Sequence, residues 1–130
     1  MERRVEKRTL PFTELTLEIT RLGSDVHLLL YGGEKPHLGC CVLAIPRPSL
    51  TGDGISATAS VLNVTGHKDE DLCRYLAETV ASETGRTVVC TGGIHMDHIT
   101  GGQIAAFREA TSSLAREAVA FIRGVCYDSL

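Results

Sequence analysis

The chain has 130 residues, 43% of them hydrophobic and 22% charged, which is the make-up of one folded domain and unlike that of a disordered chain. Thirteen Lys and Arg against sixteen Asp and Glu give a formal charge of −3, which argues against a nucleic-acid backbone as partner. No apolar run approaches the roughly 18 residues that cross a bilayer, and no apolar segment of a secretion signal follows the charged start.

In that start, Arg3, Arg4, Lys7 and Arg8 are interleaved with Glu2 and Glu6. Residues 1–11 are read as a flexible, basic N-terminal extension, leaving 12–130 as a single domain. From Phe12 to Leu22, Leu15, Leu17 and Ile19 recur at every second position with Thr or Glu between them, the pattern of a strand with one apolar face. Gly23-Ser24-Asp25 is a turn signal and Val26 to Tyr31 a second apolar run, so 13–32 reads as a hairpin.

After the break at Gly32-Gly33-Glu34-Lys35-Pro36-His37, a third strand runs from Leu38 to Ile45 and stops at Pro46 and Pro48, which restrict the ladder. In the fourth strand, Ile55 to Val64, Ala57, Ala59 and Val61 share one face while Ser56, Thr58, Ser60 and Leu62 share the other. Asp69 can cap a helix to about Glu83, striped by Leu72, Leu76 and Val80 and stopped at Gly85. A short strand around Val88-Val89-Cys90 follows. Thr100 and Gln103 then have the spacing of a capping box for a longer helix, to about Arg123, with Ile104, Phe107, Thr111, Leu114, Ala118, Phe121 and Ile122 on one side.

The expected fold is therefore α/β (α+β): one mixed or mostly antiparallel sheet with two amphipathic helices in the order β-β-β-β-α-β-α. Surplus apolar area on the long helix, or a sheet edge, would serve a homodimer. The five cysteines, Cys40, Cys41, Cys73, Cys90 and Cys126, form no CxxC pair. Their odd number, without a secretion signal, is expected of reduced thiols in a cytoplasmic protein.

The densest polar segment is Thr91-Gly92-Gly93-Ile94-His95-Met96-Asp97-His98, between a strand and a capped helix. Backbone amides in such a place can face an anion or a flavin phosphate, although the segment has neither GxGxxG nor a Walker pattern; a plain β-to-α turn is the structural alternative. His95, Asp97 and His98, with His67 as a fourth group, have the donor chemistry for a divalent metal, without the helical HExxH spacing. That chemistry would suit a metal-assisted hydrolase or lyase, and hydrogen-bonded loop histidines are the alternative. In Thr65-Gly66-His67-Lys68-Asp69, His67 can move protons near neutral pH and Lys68 can meet a phosphate or carboxylate. Arg47, between Pro46 and Pro48, is a candidate for an acidic partner. Met96 is read as a packing plug.

Taken together, the blocks Gly32 to Gly39, Ala44 to Leu50, Thr65 to Asp69 and Thr91 to Asp97 resemble the prenylated-flavin chaperone family, which includes the small accessory subunit of gallate decarboxylase. The resemblance spans about 12–122 and implies a fold like that of proteasome-assembly-chaperone domains. It also implies a non-catalytic accessory protein that delivers prenylated flavin mononucleotide (prenylated FMN), or FMN itself, to a hydroxyaromatic-acid decarboxylase. On this resemblance, backbone groups at Gly92 and Gly93 would receive the phosphate, and Arg47, His67, Lys68 and His95 would be polar contacts. The flavin ring would require an apolar pocket or an interface wall. A cofactor-free assembly subunit is the remaining expectation.

Overall fold

The computed structural model describes residues 2–64 and 69–124. His67, Lys68 and Cys126 lie outside the described residues, as does the side chain of Asp69, so the capping role expected of Asp69 is not described either.

Alternation of apolar and polar positions builds the sheet. Leu15, Leu17 and Ile19 of β2 (Glu14–Leu22) and Val26, Leu28 and Leu30 of β3 (Asp25–Gly33) point to one face and are fully buried or nearly so. Gly23 has a φ of 62° and closes the tight turn between the two strands, where a side chain would be strained. Val42 and Ala44 of β4 (Cys40–Pro48) and Val88 and Cys90 of β6 (Val88–His95) extend the same face. The small residues Ala57, Ala59 and Val61 of β5 (Ile55–Asn63) complete it.

Two helices cover this face. α1 (Asp69–Thr84) lies over β4, β5 and β6 and buries Cys73, Leu76, Ala77 and Val80. α2 (Gly101–Arg123) lies beside α1 and over β2 and β1 (Arg3–Thr9), burying Phe107, Leu114, Ala118 and Ile122. α2 is fixed at both ends. Thr100 and Gln103 form the reciprocal capping box, at 3.1 and 2.9 Å, and Gly124 adopts the left-handed conformation that ends the helix.

The strand order is β1-β2-β3-β6-β4-β5, with β6 parallel to β3 and every other neighbouring pair antiparallel. This is the expected single mixed sheet with two helices, with two corrections. The first concerns Arg3–Thr9, expected within a flexible extension, which forms β1 and adds a fifth strand ahead of α1. Its charges alternate because each face has its own counter-ions: Arg3 and Lys7 pair with Glu18 and Glu14 of β2, while Arg4 and Arg8 face Glu117 of α2 at 3.9 and 3.8 Å. The second concerns β6, which runs through Gly92 and Gly93 to His95 instead of stopping near Thr91.

This topology has one consequence for the site. β3, β5 and β6 run in the same direction and end at a common edge of the sheet, where both helices begin. On the other side of the sheet, among the described residues, no helix covers Leu29, Tyr31, Val89, Leu43 or Ile45, and Leu43 and Ile45 are exposed.

Candidate functional site at the carboxyl edge of the sheet

The two glycine-rich loops meet at this edge. Gly33, at φ 81°, turns the end of β3 against His95, and a Cβ there would collide with the His95 carbonyl. The Glu34 amide donates to that carbonyl at 2.7 Å, and the Glu34 carboxylate accepts from the Asp97 amide at 3.3 Å. Across the turn, His95 Nε2 lies 2.9 Å from Asp97 Oδ1. The His37 ring stands edge-on to His95 with centroids 6.2 Å apart. Both partners of the His95–Asp97 pair are substantially exposed, and the hydrogen bond to His95 holds the Asp97 carboxyl below the usual carboxylate range. The result is a solvent-facing acid and imidazole pair, supported by backbone bonds from both loops.

On the helix side of the same edge lies an apolar cavity of about 320 Å³. Its wall is Leu72 from the first turn of α1, Ile94 near the end of β6, Ile99 from the loop, and Ile104 and Phe107 from the start of α2. Asp71 and Arg108 also line it, exposed and 3.8 Å apart. Phe12 packs edge-on against Phe107, with centroids 5.3 Å apart, and so backs the cavity. The first turn of α2 carries no acidic residue, and no atom of the described residues lies within 4 Å of where a Cβ of Gly101 would stand. The helix start is therefore open to an anionic group on electrostatic grounds.

A family model for the prenylated flavin chaperone LpdD-like domain matches residues 11–123. The chain belongs to this family. Protein LpdD of Lactiplantibacillus plantarum is 27% identical over 104 residues, which cover 78% of this chain and 72% of that protein. A chain in the crystal structure of a chaperone complex for yeast 20S proteasome assembly is similar over 92% of this chain and 99% of its own length, at 18% identity and a TM-score of 0.49.

Within this LpdD-like domain, the expected contact residues separate. His95 stands at the carboxyl edge, and Val64 and Asp69, which flank the block containing His67 and Lys68, are attached to the ends of β5 and α1 at that same edge. Arg47 does not join them. β4 runs against β6, with Cys40 opposite Gly92 and Ala44 opposite Val88, so Arg47 lies at the far edge. There its guanidinium donates to Thr58 Oγ1 at 2.8 Å and to the Pro48 carbonyl at 3.2 Å. Gly92 and Gly93 sit within the sheet, opposite Leu30 and Tyr31, and the Gly92 carbonyl accepts from the Gly39 amide at 2.7 Å.

Among the described residues, no group of three or more His, Cys, Asp and Glu side chains is placed to hold a metal ion. His95 and Asp97 are turned onto each other, while His98 occupies the left-handed bend at φ 54°. Met96 is partly buried against the core. Of the described cysteines, Cys40, Cys73 and Cys90 are buried and Cys41 is partly buried. The cavity wall is what sequence reasoning missed. Leu72, Ile104 and Phe107 look like ordinary helix-stripe residues, and only the spacing of Ile94, Ile99 and Ile104, one on each of three successive pieces of structure, hints at a shared surface.

Proposed function

We propose that this chain binds prenylated FMN, or FMN, at the carboxyl edge of its sheet and passes it to the catalytic subunit of a hydroxyaromatic-acid decarboxylase, without itself performing the decarboxylation. Membership of the prenylated flavin chaperone family carries this reading. The chemistry of the edge supports it, because an apolar cavity lies next to an open helix start and a polar loop cluster. A flavin mononucleotide has the same division into an aromatic body and an anionic phosphate, and binding requires an apolar wall with a few placed polar groups. His95, His67 and Lys68 are the proposed polar contacts. Gly92 and Gly93 shape the strand that leads to His95, and Arg47, at the opposite edge, is given no part in the site. When bound to its enzyme the flavin supplies the chemistry; the work of this chain is to hold it and release it.

The proposed self-association is a homodimer through β5. The two edges of the sheet differ sharply: β1 is dense in charge, whereas the nine residues of β5 include none. Charged edges block strand addition, and an uncharged edge invites a two-fold antiparallel pairing. Cytoplasmic residence is part of the same proposal, since an odd count of five cysteines with no CxxC pair suits a reducing compartment.

The test is transfer. Protein loaded with prenylated FMN is mixed with the apo catalytic subunit, and decarboxylase activity is compared with that given by free cofactor at equal concentration. Faster or fuller activation by the loaded protein is expected. Equal activation with and without the protein contradicts the proposal.

A further inference from the structure

We infer that the apolar cavity between the helix starts is a selectivity subsite for the isoprenoid carbons that distinguish prenylated FMN from FMN. This inference rests on the flavin reading above and adds to it a position and an orientation. The cavity surface from Leu72, Ile94, Ile99, Ile104 and Phe107 is hydrocarbon, and the polar lining groups, Asp71 and Arg108, are solvent-exposed and face each other. The carbonyl and N–H groups of a flavin's pyrimidine end would find no partners among the five hydrocarbon side chains, and burying them unpaired is unfavourable. The hydrocarbon end carries no such penalty. At about 320 Å³ the cavity stands at the small end of ligand sites, a size that suits one end of a flavin. The apolar end therefore enters, and the pyrimidine and phosphate remain at the polar edge.

The wall is also held in advance. Ile94 lies on β6 in ladder with Gly32 of β3, Phe107 is braced by Phe12, and the Thr100–Gln103 capping box fixes the chain between Ile99 and Ile104. A preformed wall loses little freedom on binding. Each buried methylene contributes a factor of about four in affinity, so burial of even part of the isoprenoid unit favours prenylated FMN over FMN on the order of 10-fold or more. A carrier with that preference would leave the unmodified flavin aside.

Anaerobic titration of both flavins into the wild-type chain, Ile104→Thr and the control Ile104→Val tests this. Ile104 is only partly buried, and the Thr substitution keeps the branched shape while placing a hydroxyl on the cavity wall. Ile104→Thr is expected to weaken prenylated FMN about 10-fold and FMN by a clearly smaller factor, so that the preference between the two narrows, with the thermal melt close to wild type; Ile104→Val, which keeps the wall hydrocarbon, should retain most of the preference. In an isoleucine-methyl-labelled sample, the Ile94, Ile99 and Ile104 signals should move further with prenylated FMN than with FMN at equal occupancy. Parallel losses for both flavins, no loss for either, or methyl shifts confined to other isoleucines overturn the subsite while leaving the flavin reading intact. A wild-type chain that binds neither flavin overturns both.

Discussion

A Cβ on Gly92 would fall on the carbonyl oxygen of Leu30, the residue opposite it in the parallel ladder between β6 and β3. With φ at 131°, Gly92 also occupies backbone space that side-chain-bearing residues rarely enter. Gly92→Ala is therefore expected to lower stability by roughly 3 kcal/mol or more, or to prevent folding. Gly101→Ala, where a Cβ meets nothing, should be neutral or stabilising by up to about 1 kcal/mol. Denaturant unfolding of the two variants separates a steric requirement at Gly92 from a ligand-binding one.

The buried hydroxyl of Thr111 in α2 has no hydrogen-bond partner among the described residues. An unpaired buried hydroxyl is unfavourable, and Val has nearly the same shape. Thr111→Val is expected to raise stability by roughly 1 kcal/mol, read as a higher unfolding midpoint at unchanged denaturant slope.

Glu18 on the uncovered face accepts from Tyr31 Oη at 2.9 Å and pairs with Arg3. The Tyr31 hydrogen bond, then Arg3, lowers the Glu18 carboxyl from its ordinary value of 4.5, and the same bond raises the Tyr31 phenol above 10.0. A lowered acid stabilises the fold above its unfolded pKa, and that stabilisation is lost as pH falls through the folded value. A raised phenol contributes below 10.0 and loses its contribution as pH rises through its folded value. Tyr31→Phe should cost about 1 kcal/mol near neutral pH, with the deficit shrinking below pH 4.5 and again above pH 10. Thermal melts of both proteins across pH check this.

Much of this architecture can be read locally. The alternation of Leu15, Leu17 and Ile19 and the four-residue recurrence of Leu72, Leu76 and Val80 report burial within single elements, so their elements are predictable. β1 is not predictable in this way, since its charges find Glu14, Glu18 and Glu117 only in the fold, and by composition they look like a solvated tail. The Gly92-Gly93 pair misleads for a similar reason. Adjacent glycines usually mark a bend, whereas here Gly92 permits close approach to Leu30, a residue far away in sequence. Insertion of β6 between β3 and β4 is equally nonlocal, and it is what brings His37 beside His95 and sends Arg47 to the other edge.

The separation of edges gives a paired prediction. His95→Ala removes one ring of the polar cluster and should weaken flavin affinity by about 10-fold or more, the effect of one hydrogen bond to an anionic group. Arg47→Ala, at the far edge, should leave it within about twofold. Loss from Arg47→Ala alone would place the ligand elsewhere.

For β5, sedimentation velocity of the wild type is expected to show a dimer, and Ser60→Lys, which puts a charge on the uncharged edge strand, should shift it to monomer. A wild-type monomer, or a Ser60→Lys dimer of unchanged affinity, excludes pairing through this edge.

The most direct measurement of the central claim is an anaerobic equilibrium titration of the reduced wild-type chain with prenylated FMN, followed by the change in flavin absorbance and fluorescence. Saturable binding with one flavin per chain, tighter than that of FMN, is the predicted result. Absence of saturable binding to either flavin would contradict the account.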